Sequence, residues 1–175
     1  MLDKTTSLRI DQAYQQLRNT LLENKCKIIE ENPPHHISVV QGSLNGILPK
    51  SAKKIVTYQL GSTNSGTEIA ATTKIASSWT NLTLYGNILA AALAGMFLWI
   101  AADAESYIQA HDPVFWQWLA QIYSAASQEQ AVFTINIIRA AAVFLILAIV
   151  AEILIVIYVY PRKDAFARET LSPMQ

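Results

Sequence analysis

Charge is what this 175-residue chain has least of: 15% of its residues are Asp, Glu, Lys or Arg, where an ordinary soluble domain has roughly 25%. The shortage is local. Acids and bases are spread through Met1 to Lys74, almost vanish from Leu82 to Ala102, and stay sparse until Pro161, so a polar segment is followed by a membrane segment. Lys plus Arg equals Asp plus Glu at 13 each, which leaves no basic excess for nucleic acid as the main partner. Cysteine is scarcer still. With Cys26 alone, the chain can form no internal disulfide and no cysteine-based zinc or iron–sulfur site, and Cys26 reads as a small buried hydrophobe. The opening MLDKTTSLRIDQAYQQ has no apolar signal-peptide core, so the first domain is expected to stay on the side of synthesis.

Signatures of catalysis are missing as well. No serine–histidine–acid set, paired carboxylate site or cofactor box stands out. His35 and His36 are adjacent, which on a strand sends them to opposite faces, and His111 falls on the other side of the membrane segment, so no metal site is expected. The GSLNGILPKS loop has Pro49 before Lys50 where a phosphate-binding loop needs glycine. The expectation is a protein that is not an enzyme and holds no cofactor.

The polar part has room for one small α+β domain, residues 1–80. From Ser7 to Asn24, Ile10, Ala13, Tyr14, Leu17 and Leu21 recur at helical spacing, with Thr6 or Ser7 as N-cap. The period then changes to two. Lys25 to Glu31 and His36 to Gln41, separated by Asn32-Pro33-Pro34, read as two strands, and Lys54 to Leu60 and Thr67 to Ala76, joined by GSTNSG, as two more. A helix packed on an antiparallel meander of about four strands is the expected fold.

The stretches HHISVVQG and KKIVTYQLGSTNSGTEIAATTKI, with Gly66-Thr67 opening the last strand, resemble the central strands of the START-like helix-grip superfamily over about 40 residues. The resemblance implies a sheet closed by a long C-terminal helix around an apolar ligand cavity. This chain departs from that pattern in having fewer strands and a membrane helix after the last one.

Two apolar runs follow, expected as membrane helices at 81–103 and 131–160, with an exoplasmic connection 104–130 between them and a cytoplasmic tail 161–175. Each run can cross the ~30 Å hydrocarbon core as a helix. In the first, Gly86, Ala90 and Ala94, and also Ala91 and Gly95, form small-residue stripes for close helix packing, and Asn87 is expected at that interface. Trp79, Tyr85, Tyr158 and Tyr160 fall where interfacial aromatic belts would lie. The connection carries only acids, whereas Arg162, Lys163 and Arg168 follow the second run and Lys53, Lys54 and Lys74 precede the first. By the positive-inside rule both termini are cytoplasmic, in a prokaryotic cell membrane. Asp112-Pro113 opens a short amphipathic helix near 113–126 bearing Phe115, Trp116, Trp118 and Tyr123. Lys50, Lys53 and Lys54 can rest on anionic lipid headgroups.

The second run contains Arg139 and Glu152, thirteen positions apart and so about 220° around the helix, unable to pair with each other. The expectation is that they snorkel or meet a neighbouring subunit. The functional reading is a non-catalytic accessory subunit of a larger membrane complex, its partners other membrane subunits and bilayer lipids. A second reading is a membrane-tethered module binding a lipid or other apolar ligand in a cavity lined by Tyr14, Val56, Tyr58 and Ile69. A third is a homo-oligomeric channel or transporter component using Asn87, Arg139 and Glu152.

Overall fold

The computed structural model describes residues 2–110, 115–116 and 128–174. They form two compact units, one of residues 2–82 with 154–174, the other of residues 83–153.

The first unit is α+β. Its elements are β1 (Leu2–Thr6), α1 (Ile10–Glu23), β2 (Lys27–Asn32), β3 (His36–Gln41), β4 (Lys54–Thr63) and β5 (Gly66–Ile75), with the strands in the order β1-β5-β4-β3-β2 and every pair antiparallel. Alternation decides which face is buried: Val56, Tyr58 and Leu60 of β4 and Thr67, Ile69, Ala71 and Thr73 of β5 point inward, and Tyr58 sits opposite Ala71 and Ile37 on its two neighbours. Helix α1 lays Ala13, Tyr14, Leu17 and Leu21 on this face.

The sheet has five strands where about four were expected. The extra one, β1, pairs with β5 from Leu2↔Ala71 to Thr6↔Thr67. Gly66 opens β5 with φ +142°, and a Cβ there would lie 2.0 Å from the Thr6 carbonyl oxygen, so only glycine lets the two backbones meet. Because residues 2–6 belong to the sheet, α1 starts late, at Ile10, with Arg9 rather than Thr6 or Ser7 at its N-cap. It ends at a left-handed Lys25 (φ +57°), where the Cys26 N–H returns to the Leu21 carbonyl at 3.0 Å. That turn delays β2 to Lys27.

The larger correction lies at the other end of the chain. The last residue of the expected second span and the residues expected as a tail form a 3-10 turn, Tyr160–Arg162, and a helix, Ala165–Leu171, whose Phe166, Ala167 and Leu171, with Met174 beyond it, join the same core as Tyr14, Leu17 and Tyr58. Burying each of Phe166, Leu171 and Met174 stabilises the unit by roughly 1.5–3 kcal/mol. Tyr14, Val56, Tyr58 and Ile69, named as walls of a ligand cavity, are at most 2% exposed and belong to this filled core.

The chain also holds two long helices, α2 (Ser77–Ala110, 34 residues) and α3 (Gln128–Val159, 32 residues), both long and apolar enough to cross a membrane. At 1.5 Å per residue they measure about 51 and 48 Å. The C-terminal helix Ala165–Leu171 is accordingly α4.

Candidate functional site

In the second unit, burial follows one narrow stripe on each helix. On α2 it runs Thr83, Asn87, Ala90, Ala94, Phe97, Ala101, Ala104, Ile108, and on α3 Ala131, Ile135, Ile138, Ala142, Leu145, Ile149, Glu152. The steps alternate three and four, the period of a helix–helix seam. Ala101, Ala104 and Ile135 pack together, flanked by Ile108 and Ile138. The small-residue stripes thus divide. Ala94 is buried and Ala90 half-buried, whereas Gly86, Ala91 and Gly95 lie on the exposed side, with open space where a Cβ would stand on either glycine.

Arg139 meets a partner of its own chain, the Glu105 carboxylate, instead of snorkelling alone or awaiting a second subunit. The pairing exists because α2 continues seven residues past the expected end of the span. Glu105, Ile108, Ile135 and Arg139 also line a cavity of about 190 Å³. Glu152 and Asn87 are half-buried on the seam, and the Asn87 Oδ1 is buried with no hydrogen-bond partner among the described residues. Phe115 and Trp116 form a turn whose rings cluster with Trp99 at centroid separations of 5.1–5.6 Å, and the Trp116 N–H reaches the Asp103 carboxylate at 3.4 Å. Trp118, Tyr123 and the rest of the expected amphipathic helix lie outside the described residues.

The first unit carries a second polar cluster, built on the loop between β3 and β4. Trp79, expected in an interfacial belt, is instead 4% exposed: it packs with Ala52 and Val159 and donates its indole N–H to the Gly46 carbonyl at 3.1 Å. The loop is closed further by Ser43 N–H to the Ser51 carbonyl and Lys53 N–H to the Ser43 carbonyl. Tyr85, Tyr158 and Tyr160 remain exposed.

Lys54, expected on the headgroup-facing surface with Lys50 and Lys53, is completely buried. Its ammonium donates to the Pro49 carbonyl and stands 5.9 Å from the centre of the Phe166 ring. Burial lowers its pKa to about 8, against the opposing fields of Asp164 and Cys26. The Cys26 thiol is pushed up to about 11, again by burial.

Beside Lys54, a cavity of about 510 Å³ opens between the loop and the C-terminal segment, lined by Leu48, Pro49 and Lys50 from one and Tyr158, Pro161, Arg162, Asp164, Ala165 and Arg168 from the other. Lys50 pairs with Glu169 at 2.7 Å, both exposed, and the Arg162 guanidinium lies over the Tyr158 ring at 4.6 Å. Lys50, Arg162 and Arg168 were each legible as cations near a membrane boundary. Their convergence depends on α4 folding back onto the sheet, which no local pattern announces.

On the far side of α1, the Tyr14 hydroxyl donates to Glu31, which Arg18 also holds at 2.8 Å. These two bonds keep the Glu31 carboxyl below its ordinary pKa. The group ties α1 to β2, and no cavity adjoins it among those described. Comparison with protein-family models, with curated proteins and with solved structures finds no match.

Proposed function

We propose that this chain is a non-catalytic accessory subunit of a membrane protein complex, anchored by α2 and α3 and presenting its α+β unit at the membrane surface. One observation carries the reading: the long helices bury a single stripe each and leave large side chains such as Leu84, Leu89, Phe133, Phe144 and Leu147 more than half exposed. In a bilayer such faces meet lipid or the helices of another subunit at little cost, whereas in water they would aggregate.

The two ends of the chain support a two-span arrangement. Residues 2–76 and 165–174 share one core, so they lie on one side of any membrane, and the intervening chain crosses an even number of times. The distribution of Lys and Arg puts that side in the cytoplasm. If the Arg139–Glu105 pair marks the outer boundary, Glu152 stands thirteen residues, about 20 Å, further in, and so about 10 Å inside the opposite boundary of a 30 Å core. An antiparallel register through Ala104 and Ile135 brings Asn87 to the same level. A polar pair there fits a contact that sets helix register and meets neighbours.

Native mass spectrometry of a gentle-detergent membrane extract tests the assignment. The expected result is this chain retained with other membrane subunits. A free monomer, under conditions that keep known complexes together, would overturn it.

A further inference from the structure

The cavity at the foot of α3 is lined by two kinds of side chain. Leu48, Pro49, Tyr158 and Ala165 are apolar or aromatic, and Lys50, Arg162 and Arg168 bring three cations among them. Among the described residues Asp164 is the only acid lining it, and its field acts on the buried ammonium of Lys54 just behind Pro49. Lys50 is shared with Glu169, and among the described residues no acid forms an ion pair with Arg162 or Arg168. The local balance is therefore positive. The loop wall is also unusual in what it exposes: Ile47 and Leu48 are 59% and 56% exposed on a loop that Trp79 and the Ser43–Ser51 bonds hold in place. Tyr158, on the last turn of the apolar helix, is exposed and lines the same cavity.

An ordered loop that offers bare aliphatic side chains beside two arginines, at the end of a membrane-spanning helix, combines the two contacts a bilayer interface makes: apolar surface for acyl chains and positive charge for phosphate. Guanidinium groups suit this task because they chelate phosphate oxygens through two parallel N–H donors. A volume of about 510 Å³ takes a phosphoglycerol headgroup with the first carbons of its chains but not a whole lipid. We infer that this cavity is a binding site for the phosphate of an anionic phospholipid headgroup, held by Arg162 and Arg168 with Lys50 at the rim and Leu48 and Tyr158 against the glycerol and upper acyl carbons. The inference rests on the membrane reading of α2 and α3.

The test uses the full chain in a mild detergent, with phosphatidylglycerol or phosphatidylcholine titrated and lipid adducts counted by native mass spectrometry. The wild type retains phosphatidylglycerol selectively. Replacing both arginines (Arg162→Gln with Arg168→Gln) lowers that affinity by roughly 30-fold, the effect of two cations at an anionic surface, and leaves phosphatidylcholine binding unchanged. A control of equal charge change, Arg9→Gln with Lys27→Gln, removes exposed cations far from the cavity in sequence and on other elements, and leaves selectivity intact. Equal retention of both lipids by the wild type would overturn the site, as would an equal loss in the control. Displacement of the lipid by millimolar inorganic phosphate would overturn the assignment to a lipid in favour of a free phosphate. Carbonate extraction of membranes from each variant separates the two claims: protein that stays in the membrane but shows no lipid selectivity refutes only the site, and protein that is washed off refutes the membrane reading beneath it.

Discussion

Lys54 is a completely buried lysine, and its position sets a pH signature. Below pH 8 the ammonium is charged in folded and unfolded chains alike, and the fold carries the burial cost. As pH rises past about 8, the folded chain releases its proton before the unfolded one does, so stability increases toward the ordinary lysine range. Cys26 opposes this only from pH 9 upward, where an unfolded thiol ionises while the buried one, at about 11, does not. The expected outcome is a melting temperature in detergent that climbs between pH 8 and 9, and a Lys54→Met variant without that climb; a flat wild-type profile would show that Lys54 is not held as described. Trp79 allows a second check. Trp79→Phe keeps the ring against Ala52 and Val159 but loses the bond to Gly46, at a cost of about 1 kcal/mol, and hydrogen exchange at the Ser43, Ala52 and Lys53 amides should quicken. A tryptophan near the start of an apolar run was legible from sequence only as an aromatic at a boundary. What buries it is the loop carrying Gly46 and Ala52, together with Val159 at the far end of α3.

At the scale of elements, the parts visible in sequence were those with a sustained period. Strands β4 and β5 alternate over most of their ten residues, α1 repeats its stripe over about four turns, and the two long helices show as sustained apolar runs. The parts that escaped are short. β1 offers one large apolar residue, Leu2, in five positions, and α4 offers Phe166 and Leu171 in seven amid polar neighbours; each is an element because the sheet is there to receive it. Leu171, 2% exposed in the core with Phe166 and Met174, should cost about 2–5 kcal/mol on replacement by alanine, read as a lowered melting temperature. A chain whose last segment was a solvated tail would not notice the change. The helices carry a matched pair of tests. Ala142→Leu places three extra carbons in a fully buried seam position and should destabilise by about 1–3 kcal/mol, whereas Ala91→Leu on the exposed side should be close to neutral in a resistance-to-SDS unfolding titration. The reverse order would mean that the seam runs along the other stripe.

For the whole molecule, the decisive relation is between the two ends of the chain. The composition divides it into a polar part and an apolar part, and from that division alone the residues after Pro161 look like a free tail. Packing of α4 against β4 and α1 makes them the closing piece of the first domain, so the basic residues that follow the second apolar run, Arg162 and Arg168, are built into a folded wall. Such an arrangement keeps both ends on the same side of any bilayer without relying on charge statistics. Substituted-cysteine labelling with a membrane-impermeant maleimide, in a Cys26→Ala background, reads this directly. Cysteines introduced at the exposed positions Ser65, Ser172 and Gln109 should divide two to one: Ser65→Cys and Ser172→Cys labelled from the same face, Gln109→Cys only from the opposite face. Labelling of all three from one face, or of Ser65→Cys and Ser172→Cys from opposite faces, would contradict two membrane-spanning helices that return the chain to a single domain.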